Sequence, residues 1–149
     1  MRQLGIPALI ASKPSREREL VLAMVAERLI KACSKLATTR LWHTTTLAEE
    51  LGVQDAQVDE LYAALDWLLA RQARIETKLA ARHLKDGGLV LYDASTSYYE
   101  GKTCPLARFG HDRDGKKLPV ILYGLLTDQA GRPVAVEVYA GNTGDPTTV

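Results

Sequence analysis

The 149-residue chain has little of several things that would mark a specialised class. Two cysteines, Cys33 and Cys104, sit in opposite halves, too few for a disulfide scaffold. His43, His83 and His111 are scattered and join neither cysteine at the short spacing of a zinc site. Two free thiols in a reducing cytoplasm are therefore expected. No apolar run approaches the roughly 20 residues of a membrane span. The first fifteen residues lack the apolar core and cleavage site of a secretory signal. Hydrophobic residues at 46% and charged residues at 25% are ordinary for a globular protein, which excludes disorder and low complexity.

The net charge of +1 argues for no partner, but its distribution is uneven. Met1 to Ala48 holds eight bases against Glu17, Glu19 and Glu27. Glu49 to Asp66 holds six acids and no base. A basic N-terminal stretch suits phosphates, whose neutralisation releases counterions, and suits a solvated helix face equally well.

The hydrophobic period changes at Asp86-Gly87-Gly88. Upstream it is helical. Ser15 is placed to cap a helix whose apolar face carries Leu20, Val21, Met24, Val25, Leu29 and Ile30. Thr46 and Glu49 have the spacing of a capping box for a short helix, Leu47 to Leu51, that Gly52 ends. One long helix is predicted from about Ala56 to His83. Its stripe of Val58, Leu61, Tyr62, Leu65, Leu68, Leu69, Ile75 and Leu79, with Gln72, needs another helix or another chain to pack against.

Downstream the pattern is strand-like. Leu89 to Tyr92 reads as a strand buried on both faces. A polar loop from Glu100 to Lys117 leads to a strand over Leu118–Leu126. The turn Asp128-Gln129-Ala130-Gly131 joins it to a third strand over Pro133–Tyr139, as an antiparallel hairpin. Thr143 or Asp145 is placed to cap a further helix with Pro146 at its first position.

Three features carry candidate chemistry. The segment Leu47 to Val53, followed by Val58 and Leu61, has helix-turn-helix spacing. A recognition helix starting at about Gln54 would turn Asp55, Asp59 and Glu60 toward phosphates, so a plain helix hairpin is the better reading. Asp93 follows the apolar run, at or near the C-terminal end of its strand. A carboxylate there costs desolvation energy unless it is paired or bound to a metal. Ser95 stands where an aspartyl phosphatase has its second aspartate, and Gly144-Asp145-Pro146 is no phosphate-cradling loop. The loop after Tyr98 interleaves Lys102, Arg108, Arg113, Lys116 and Lys117 with Tyr98, Tyr99 and Phe109, a mixture that suits a nucleic-acid backbone and unstacked bases.

Four blocks occur in order: Asp93-Ala94-Ser95-Thr96-Ser97-Tyr98-Tyr99-Glu100-Gly101, Gly110-His111-Asp112-Arg113-Asp114-Gly115-Lys116-Lys117, Tyr123-Gly124-Leu125-Leu126 and Gly141-Asn142-Thr143-Gly144-Asp145. This series resembles bacterial insertion-sequence transposases of the DDE type, and Leu36 to Leu84 resembles their helical N-terminal region. The resemblance implies an α+β chain. Residues 1–86 would be a helical region for DNA binding or dimerisation. Residues 87–149 would hold the first three antiparallel strands of an RNase H-like catalytic domain. Asp93 would then be catalytic and a ligand of two Mg2+ (or Mn2+) ions in an in-line phosphoryl transfer. DNA at the insertion-sequence ends would be the partner, in the cytoplasm and away from membranes. The family's second aspartate and its glutamate lie beyond the last block. The expectation is thus a truncated chain, inactive and weakly metal-binding alone, or a remnant that binds DNA or pairs with and inhibits a full-length transposase.

Overall fold

A computed structural model describes Met1, residues 3–110 and residues 114–144. The chain is mixed helix and antiparallel sheet, an α+β arrangement. It divides into two compact units, Met1–Ile75 and Glu76–Val149.

The first unit contains α1 (Ile6–Ile10), α2 (Arg16–Ile30), α3 (Lys35–Leu41), a 3-10 turn (Trp42–Thr44), α4 (Leu47–Glu50) and α5 (Val58–Leu69). Ser15 caps α2 as expected, its hydroxyl accepting from the Arg18 N–H at 3.3 Å. Leu20, Val21 and Ala23 of α2 meet Leu61 and Ala64 of α5, with Trp42, Ala48, Val53 and Ala56 completing the core. The apolar stripe thus finds its partner helix in the same chain for its first turns, while Tyr62 and Leu69 stay exposed. Trp42 Nε1 and Glu27 Oε2 are buried without a hydrogen-bond partner among the described residues.

Two helix expectations are corrected. Thr46 makes no side-chain cap, because its backbone is already helical (φ −80°, ψ −1°) where a capping residue is extended. The reach-back occurs instead at α5, where the Glu60 carboxylate accepts the Gln57 N–H at 2.9 Å. The long helix is also two: α5 ends at Leu69 and α6 runs over Gln72–His83. The cause is local. The Trp67 carbonyl, the regular helical acceptor for the Arg71 N–H, takes the Arg71 guanidinium at 2.9 Å. The Arg71 N–H turns one residue closer, to the Leu68 carbonyl.

The second unit contains the sheet, β1 (Val90–Tyr98), β2 (Val120–Asp128) and β3 (Pro133–Ala140), in that order and antiparallel throughout. The β2–β3 turn forms as expected. Asp128 Oδ1 accepts from Ala130 N and Arg132 N, both at 2.9 Å, and Gly131 takes φ +74°. A register shift at Leu126/Thr127 admits one extra residue in β3, around the buried Val134. On the sheet's outer edge, the Val136 N–H is taken by the Glu76 carboxylate of α6 at 3.1 Å. Leu89 to Tyr92 is not buried on both faces: all four residues are exposed, because among the described residues β1 is an edge strand of a three-stranded sheet. The helix anticipated around Pro146 lies outside the described residues.

Candidate functional site

Asp93 is not at a strand end. β1 continues to Tyr98, so Asp93 is its fourth residue, opposite Leu125 of β2. The strand is longer than its apolar run because Thr96, Ser97 and Tyr98 tolerate extended backbone on a half-exposed surface.

Side chains alternate across a strand, so Asp93, Ser95 and Ser97 share one face. The register adds Tyr123 to it, directly opposite Ser95. Hydrogen bonds from Ser95, then Ser97, hold the Tyr123 phenol below its ordinary pKa, and the Asp93 charge pushes the other way. The site is therefore a column of small hydroxyls with a carboxylate at one end and a phenol across from its middle. Beside it the same face is apolar. Leu125 and Val136 continue the Asp93 row and Val138 continues the Tyr123 row, with Leu91, Val136 and Val138 exposed.

The opposite face is built differently. The Tyr92 ring lies over Gly124, where a Cβ would collide with it. The Tyr139 hydroxyl donates to Glu137 at 3.0 Å. Desolvation, with hydrogen bonds to Glu137 and Tyr92, pushes Tyr139 up to about 12.

The basic loop is only partly gathered. Lys116 lies 4.6 Å over the Tyr98 ring and 3.4 Å from Asp114. Tyr98 has the opposite parity to Asp93 along β1, so Lys116 belongs with the other face of the sheet. Arg108 is tied through its backbone to Val120 in both directions, at 3.1 and 2.9 Å. Lys102 is exposed between β1 and β2, Lys117 adopts φ +53°, and Arg113 lies outside the described residues.

Among the described strand residues none on the face of Asp93 is a second carboxylate, and no three His, Cys, Asp or Glu side chains among the described residues cluster to hold a metal. The described residues therefore do not fit a two-ion Mg2+ site by themselves.

The helix-turn-helix reading also changes. No helix starts at Gln54; α5 begins at Val58. Asp55, ahead of α5, and Glu60, in its first turn, pair with Arg16 of α2 at 3.0 Å and 2.8 Å. Those pairs partly neutralise the acids, whose side chains stay solvent-accessible. Cys33 and Cys104 are free thiols. No described helix is long and apolar enough to cross a membrane.

The pairing of Tyr123 with Ser95 and Ser97 is the feature sequence reasoning missed. Alternation alone puts Asp93, Ser95 and Ser97 on one face. Placing Tyr123 among them requires the β1–β2 register, and the long connection between those strands hides it.

Comparison with protein-family models, curated proteins and solved structures finds no match for this chain.

Proposed function

We propose that this chain belongs to a DNA-processing apparatus of the DDE transposase kind, with Asp93 as one carboxylate of its phosphoryl-transfer centre and β1–β2–β3 as the opening strands of an RNase H-like sheet. The observation that carries this reading is the position of Asp93, exposed in the middle of an antiparallel strand and flanked by the Ser95–Ser97–Tyr123 cluster. Mg2+ or Mn2+ would supply water activation and leaving-group stabilisation in such a centre. Asp93 alone does not make that ion site, so other carboxylates must complete it. The chain's own part is to present Asp93 beside the Ser95–Ser97–Tyr123 hydroxyl cluster.

The test is nicking of supercoiled DNA by the intact chain with Mg2+ or Mn2+, alone and with a complementing transposase. Nicking that appears and is lost in Asp93→Asn supports the reading. Nicking indifferent to Asp93→Asn removes Asp93 from the chemistry.

A second reading is a non-catalytic remnant that pairs with a full-length transposase and inhibits it. Exposed Leu91, Val136 and Val138 beside Asp93 favour it, since contiguous apolar surface marks an interaction face. Hetero-oligomers that persist in Asp93→Asn and fall apart in Val138→Glu distinguish it.

A further inference from the structure

The helical unit carries a charged recess that the Asp93 site does not use. It is a cavity of about 250 Å³ between the α1–α2 connection and the α5–α6 break. Lys13, Arg71 and Arg74 line it with Trp67, Ser12 and Ser15, and no acid lines it. Its size is below the ~300–1,000 Å³ of sites for drug-sized ligands, so it admits one group of a larger molecule.

Three observations define that group. The first is charge. Lys13 and Arg74 make no ion pair with any described residue, so two cations face the recess uncompensated. Glu17, two residues past Ser15, is in the field of Arg71, but its carboxylate is held by its own N–H and by Ser15. The second is shape. The Arg71 guanidinium is locked in place, stacked 3.7 Å over the Trp67 ring and bonded to the Trp67 carbonyl. A guanidinium has five N–H donors, so a fixed planar fork still has donors to offer an oxyanion. The third is the break itself. Arg71 lies in it and Arg74 in the first turn of the helix that follows, so both line the recess that Lys13 also lines.

We infer that this recess binds a backbone phosphate of DNA, with Arg71 and Arg74 from the helix break and Lys13 from the α2 approach as its ligands. The aromatic wall at Trp67 under a cation is the combination used to hold nucleic-acid strands. The choice of DNA rests on the function proposed above; the phosphate chemistry rests on the recess alone.

The experiment is fluorescence anisotropy of a labelled DNA duplex with the intact chain, over a salt series, with inorganic phosphate and a mononucleotide as separate probes. Lys13→Glu/Arg74→Glu is compared with Arg28→Glu, a charge reversal in the last turn of α2. All three positions are exposed, so folding is not at stake, and circular dichroism verifies it. The expected result is DNA binding about tenfold weaker in the double variant, with a salt slope reduced by about one per phosphate lost, and little change in Arg28→Glu. Equal loss in Arg28→Glu, or wild-type affinity and slope in the double variant, overturns the inference. So does a wild-type chain that binds phosphate or the mononucleotide but not DNA, an outcome that also counts against the DNA-processing reading. Asp93-dependent nicking that survives with an unaltered salt slope in the double variant overturns the recess and leaves that reading standing.

Discussion

Tyr123 lies directly across the β1–β2 ladder from Ser95, and Ser95 and Ser97 both hydrogen-bond its phenol. Those bonds favour the phenolate, so Tyr123 ionises below the usual tyrosine range near 10. Ultraviolet titration should show one early phenol that moves upward in Ser95→Ala, moves upward by less in Ser97→Ala and disappears in Tyr123→Phe. Tyr139, pushed up to about 12 chiefly by desolvation, should ionise late. An early phenol that ignores both serines would break the assignment.

Asp128 predicts an acid response of the sheet. Arg132, through its side chain and its backbone N–H, and then the Ala130 N–H hold the Asp128 carboxyl below its ordinary value. A carboxyl with a depressed folded pKa adds stability that is complete above its unfolded value, about 4, and is lost as pH falls through the folded one. The β2–β3 hairpin should therefore weaken on acidification below about pH 4. Asp128→Asn should be less stable at neutral pH and lose less on acidification, as followed by thermal melts across pH.

The helical unit should be sensitive at Leu61, which is completely buried between α5 and α2. Leu61→Ala removes core volume and should cost about 2–5 kcal/mol, read by urea unfolding. Ser15→Ala should cost about 1 kcal/mol, since it frees one N–H at the start of α2. A loss at Leu61 no larger than that at Ser15 would contradict the packing described.

Arg16 joins Asp55 and Glu60, yet all three side chains are solvent-accessible. Screening limits such pairs, so Arg16→Gln should cost less than about 1 kcal/mol, and less still at high salt. Its larger effect should be on surface charge, since Asp55 and Glu60 would then stand uncompensated. A salt-independent loss of several kcal/mol would show that the cluster is structural.

The helix signals that could be read from the chain were those written in local chemistry. Ser15 before an apolar-periodic run named the start of α2, and Gly52 marked the end of α4. The β2–β3 hairpin was legible because its turn is short and Asp128 is an acceptor-rich turn residue. What stayed hidden depends on side chains acting at a distance or against propensity. No glycine or proline announces the break at Ala70–Arg71, because an arginine captures a carbonyl. The apolar run before Asp93 suggested burial, but burial needs covering layers, and periodicity does not count them. Asp93 itself was visible as an aspartate in an odd place. Its neighbours Ser95 and Ser97 follow from alternation, whereas Tyr123 follows only from register.

Glu76 gives the sheet a property its strands lack. An edge strand rich in valine, such as β3, is a template on which other molecules can polymerise. By occupying the Val136 N–H, a single carboxylate from α6 interrupts that template near its middle and places a negative charge there. One edge of this sheet is thus guarded by a helix that is no part of it.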